Sequence, residues 1–144
     1  EDPAEPQLSH WGERLPNGAR AVYVFGGDDR LQRVQVLSLL PGVEAIAPHL
    51  EAMNAQYGGP TGAWHCPDTG GVPTRRFTWR HGRTTVADVF LIYGGRVSVT
   101  LYVAPTPVIA ASLRRARCRP VRDREDLARF PQARPEQLDE AAGR

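Results

Sequence analysis

The stretch Trp64-His65-Cys66-Pro67-Asp68-Thr69-Gly70-Gly71 gathers the residue types most suited to chemistry. A thiol beside an imidazole supplies the parts of a cysteine nucleophile and its base. Adjacent side chains rarely face each other, however, so a more distant histidine would have to act as that base. The chain has no Cys-x-x-Cys spacing, which excludes a thioredoxin-type redox pair and a c-type haem attachment site. Its two cysteines and four scattered histidines also lack the spacing of zinc ligands, so neither a metal nor another cofactor is expected. The expected fate of the two cysteines, Cys66 and Cys118, is a disulfide tying a long loop to the C-terminal helix. Closing a loop of about fifty residues is worth about 4 kcal/mol in the chain-entropy model.

Asp68-Thr69-Gly70 matches the short Asp-Thr-Gly motif of aspartic proteases. That chemistry needs two carboxylates sharing a proton, and one copy of the motif requires a homodimer, as in the retroviral-type enzymes. Their aspartate follows a buried apolar strand, whereas Asp68 follows His65-Cys66-Pro67. The stretch is therefore read as a turn.

Around this motif the chain punctuates itself with glycine and proline. Residues 1–11 read as a flexible lead, 12–119 as one domain and 120–144 as a charged, proline-containing tail. Strands are expected at about 19–25 and 30–39, joined by the Gly26-Gly27-Asp28-Asp29 turn. Val43, Ile46, Ala47, Leu50, Met53 and Tyr57 recur at helical spacing, which predicts a helix at about 46–57 with Pro48 in its first turn. Gly58-Gly59-Pro60 stops it and opens a loop over 58–73. Three antiparallel strands follow at about 74–80, 83–93 and 96–104, with His81-Gly82 and Gly94-Gly95 as two-residue turns. Thr106 as N-cap and Pro107 at the first helical position begin a helix at about 107–117. The order ββ-α-βββ-α predicts an α+β fold, an antiparallel sheet with its helices gathered on one face. It resembles the element order of longin or roadblock-like modules; no motif accompanies the likeness, and it implies no function.

The strand register makes Asp88 an anomaly. A Gly94-Gly95 turn sets Ile92 against Val97, Phe90 against Val99 and Asp88 against Leu101, all on a core face where an unpaired carboxylate is costly. A His81-Gly82 turn sets Phe77 against Val86 and Arg75 against Asp88, which predicts a cross-strand Arg75–Asp88 pair. The opposite face of these strands collects Arg76, Arg80, Val89, Leu91, Tyr93, Arg96 and Tyr102. An apolar, tyrosine-bearing centre rimmed by arginine is typical of a protein-binding surface. The competing reading is that a terminal segment or another helix covers it. The run Arg75-Arg76-Phe77-Thr78-Trp79-Arg80 does not read as a nucleic-acid site, because alternation turns its aromatics away from Arg76 and Arg80. The histidines His10, His49, His65 and His81 read as surface or capping residues.

All 18 basic residues are arginine, as expected of a bacterial, high-GC genome. The net charge of +2 is uneven: −3 over residues 1–11, +6 over 12–119 and −1 over 120–144. That is a mild lean toward acidic partners, not a nucleic-acid signature. No apolar run is long enough to span a bilayer. The acidic, proline-rich start and the cysteine pair point to an exported, periplasmic or secreted protein. No nucleophile–base pair or phosphate loop stands out. The expected function is a non-enzymatic domain that binds another protein through its sheet, such as an inhibitor, immunity protein or envelope-complex accessory subunit; homo-oligomerisation is compatible with this. The alternative is a small hydrolase-type enzyme using Asp68, His65 or Cys66, and a third reading is an anionic-ligand binder using Arg76, Arg80 and Arg96.

Overall fold

The computed structural model describes residues 9–69 and 72–122. Eight strands, β1 (Ser9–Arg14), β2 (Arg20–Phe25), β3 (Leu31–Leu40), β4 (Gly62–Thr69), β5 (Val72–His81), β6 (Thr84–Tyr93), β7 (Arg96–Pro105) and β8 (Arg119–Pro120), form one sheet. Their spatial order is β1-β2-β3-β7-β6-β5-β4-β8, and every pairing is antiparallel. A 3-10 turn (Val43–Ala45) leads into α1 (Ile46–Tyr57), and α2 (Thr106–Arg115) follows β7 directly. The α+β class stands, but the order is βββ-α-ββββ-α-β. The ββ-α-βββ-α expectation lacks β1, β4 and β8. Of the expected lead, residues 9–11 are strand and 1–8 lie outside the described residues, as does the tail beyond 122.

The glycine turns explain the register. Gly94 and Gly95 both take positive φ (52° and 79°), as a type I′ hairpin requires, and Asp88 duly stands opposite Leu101. At the other hairpin the two turn residues are Gly82 and Arg83, not His81 and Gly82, and His81 pairs with Thr84. Gly82 has φ 61°, which matches the turn type that places glycine first. A His81-Gly82 turn would have put histidine in that strained region. The consequence is a slip of two positions: Phe77 stands opposite Asp88, and Arg75 opposite Phe90. The expected Arg75–Asp88 cross-strand pair is therefore corrected. An even slip leaves every side chain on its expected face.

The first face carries the main core. Phe77, Trp79, Val86, Phe90, Ile92, Val97 and Val99 are buried against Ile46 and Met53 of α1. Each buried side chain of this size contributes about 1.5–3 kcal/mol. The α1 boundaries match the sequence expectation, and Gly58 closes the helix with φ 84° and its N–H on the Asn54 carbonyl. The Trp79 indole N–H reaches both Asn54 Oδ1 and the Gly58 carbonyl, fastening that end of α1 to β5.

The expectation that both helices share one face is wrong. Ile109 of α2 packs on Ala87 and Ala104, with Tyr102 and Leu113 beside them, and these strand residues point to the second face. The reason lies in the strands: β6 and β7 carry apolar residues at both parities, so each face needs a cover. Thr106 does not cap its own helix through its side chain. Its hydroxyl instead meets Thr85 Oγ1 at 2.9 Å and donates to the Gly82 carbonyl, anchoring the start of α2 to the β5–β6 turn.

Candidate functional site

The expected 58–73 loop is largely strand. In β4, Ala63 and His65 share a face with Phe77 and Arg75, while Trp64 and Cys66 share the other with Arg76 and Thr74. Pro67 falls at the register shift between Cys66 and Thr69, where a missing N–H breaks no ladder bond. Asp68 belongs to β4, but its side chain lies outside the described residues, as do Gly70 and Gly71. Cys66 is fully buried and bonded to Cys118, so it carries no thiol nucleophile. The bridge holds the chain leaving α2 against β4, next to β8, where the Val121 N–H donates to the Ala63 carbonyl.

His65 stands between Arg75 on β5 and Arg119 on β8. Burial first, and then these two guanidiniums, hold its imidazole below the ordinary histidine range. Its folded pKa lies below the unfolded one, so folding becomes less favourable as pH falls below about 6.5, where the unfolded chain binds the proton first. His65→Gln is expected to flatten that part of the stability curve, measured as urea midpoints across acidic pH. An unchanged slope would refute the assignment.

The polar centre of the first face is a pair that sequence reasoning missed. Asp88 is fully buried, and its Oδ2 lies 2.8 Å from His49 Nε2. The His49 side chain keeps 24% of its surface and packs edge-on against Phe90, with ring centroids 5.6 Å apart. Asp88 Oδ1 has no hydrogen-bond partner. A groove of about 660 Å³ runs along the open end of β3, lined by His49, Ser38, Leu40 and Val99, by Leu37, Leu39, Ser98 and Thr100, and by the turn around Asn17. The signal for His49 was present: it shares the helical stripe of Ile46, Leu50 and Met53. Only its polarity disguised it.

On the second face the expected protein-binding residues divide. Arg76 is buried beneath α2, where its Nη1 donates to Ser112 Oγ at 2.9 Å, and burial lowers its pKa. Tyr102 is half-buried beside the same helix. Tyr93 and Arg96 pair across the β6–β7 turn and are exposed, Val89 and Leu91 are half-buried, and Arg80 is exposed at the far end of β5. The register adds two residues that were not foreseen. Leu39 lies in one row with Ser98 and Leu91, and Leu37 in the next with Thr100 and Val89. Leu39 is 83% exposed and Leu37 43%. Between α2 and β3, a separate groove of about 300 Å³ is lined by Arg33, Gln35, Arg76, Tyr102 and Arg115 over an apolar floor.

Among the described residues, no three His, Cys, Asp or Glu side chains gather as metal ligands, and no helix is long and apolar enough to cross a membrane. Fold and site thus define a disulfide-bonded α+β domain with an antiparallel sheet covered in part on both faces. The chain matches no protein-family model, no curated protein and no solved structure.

Proposed function

We propose that this chain is an exported, non-enzymatic domain that binds another protein through the part of the second sheet face left open by α2. The observation that carries this reading is the row Leu39–Ser98–Leu91, in which a leucine 83% exposed stands on β3 just beyond the last β2 pairing, with Ser98 between it and the half-buried Leu91. Leu37, Val89 and Tyr93 extend the apolar area, and Arg20 and Arg96 are exposed at its rim. Apolar side chains on either side of Ser98 and Thr100, with an arginine rim, have the mixed anatomy of a binding surface rather than of a solvated sheet. The Cys66–Cys118 bridge supports export to an oxidising compartment. The same bridge leaves the hydrolase alternative no thiol at Cys66.

A photo-crosslinking residue at Leu39, in the full chain expressed in its own host, tests the proposal. One discrete adduct with a different protein is expected, and it should vanish when Leu37→Arg is added. Adducts absent, or formed only between copies of this chain, would overturn it.

A further inference from the structure

The groove between α2 and β3 adjoins the open leucine surface, sharing Val89 with it, and has a different chemistry. Its walls carry three guanidiniums, from Arg33, Arg76 and Arg115, and no described lining residue is acidic. Its floor is apolar: Ala87, Val89, Ala104, Ile109 and Leu113. Arg33 Nε is buried and donates no hydrogen bond. A buried donor left unused is costly, so the site is short of an acceptor. The Ser112 hydroxyl, already held by Arg76, fixes that guanidinium against the wall. The volume of about 300 Å³ is at the lower end of small-molecule sites, which run from roughly 300 to 1,000 Å³.

We infer that this groove binds a small amphipathic anion, with a carboxylate or phosphate head held by Arg33, Arg76 and Arg115 and an apolar body on the Ala87–Leu113 floor. Arginine suits either head, because its planar fork donates two parallel hydrogen bonds to paired oxygens. The body fits where α2 and the sheet leave their apolar surfaces unclosed. The inference does not depend on the protein-binding reading, since Leu37 and Leu39 are absent from the groove lining.

Calorimetry on the full, oxidised chain tests it, with octyl phosphate and octanoate as probes and inorganic phosphate and octanol as controls. At least one probe should saturate a single site, with both controls about tenfold weaker or worse. The double variant Arg33→Gln/Arg115→Gln should lose about tenfold in affinity, while Leu37→Arg should bind as the parent does. Should the double variant fail to fold, Gln35→Glu decides, because it sets a carboxylate in the groove and should weaken binding to a similar extent. Failure of both probes to saturate, binding unmoved by the folded variant, or controls as tight as the probes would each overturn the inference. None of these outcomes bears on the Leu39 crosslink.

Discussion

Replacing His49 with alanine is expected to cost about 3–4 kcal/mol, because it strands a carboxylate that is fully buried. Asp88 Oδ1 already lacks a partner, so the Oδ2 contact with His49 Nε2 at 2.8 Å is the bond whose loss matters. The reverse substitution is not its mirror image. Asp88→Leu removes the buried charge and leaves His49, whose side chain keeps 24% of its surface, able to reach water. It should therefore cost far less. The double variant His49→Leu/Asp88→Leu is expected to lie between neutral and about 4 kcal/mol more stable than the parent, as when buried ion pairs give way to packed apolar groups. Urea unfolding of the parent, His49→Leu, Asp88→Leu and the double variant gives the cycle, with His49→Ala measured beside them. A His49→Ala cost below about 1 kcal/mol would mean that the carboxyl is not stranded once the imidazole is gone, and the account of the first face would fail.

The Cys66–Cys118 bridge carries the second large effect. With a sequence separation of 52 residues, removing it through Cys66→Ala/Cys118→Ala should cost about 4 kcal/mol. For a chain of this length that corresponds to a fall of roughly 10–20 °C in melting temperature. The loss should also be local. Thr106 anchors the start of α2 through Thr85 and Gly82, so the helix keeps one attachment while its far end is released. Hydrogen exchange should rise most in the last turn of α2 and in β8, beyond the rise that the lower global stability brings to α1. Equal exposure of α1 would show that the bridge stabilises the whole fold and not the α2 end. A free-thiol count on denatured, unreduced protein should give zero.

Much of the fold was legible because local chemistry fixed it. Helix α1 has the boundaries its apolar stripe and Gly58 dictate, and the Gly94-Gly95 turn sets the β6–β7 register that puts Asp88 in the core. The disulfide followed from the count of two cysteines together with the expectation of export. The β5–β6 slip arose from a turn in which glycine must come first, a preference of backbone geometry that alternation cannot reveal. β4 was hidden by Gly62 and Pro67, residues tolerated there because its outer side is paired only at Trp64 and His65.

What the sequence by itself determined, then, is which side chains share a face. Period-two alternation survives an even slip of register, so Phe77, Trp79, Asp88 and Phe90 stayed together on the buried side. It could not determine what lies on top of each face, because that depends on contacts between residues far apart in the chain. Tertiary structure alone brought His49 to Asp88 across 39 residues and laid α2 on the second face, over Arg76 and Ala87. It also left Leu37 and Leu39 of β3 open beside Val89 and Leu91. Burial of a strand face is paid for by whichever helix can reach it, and reach is a property of the folded chain.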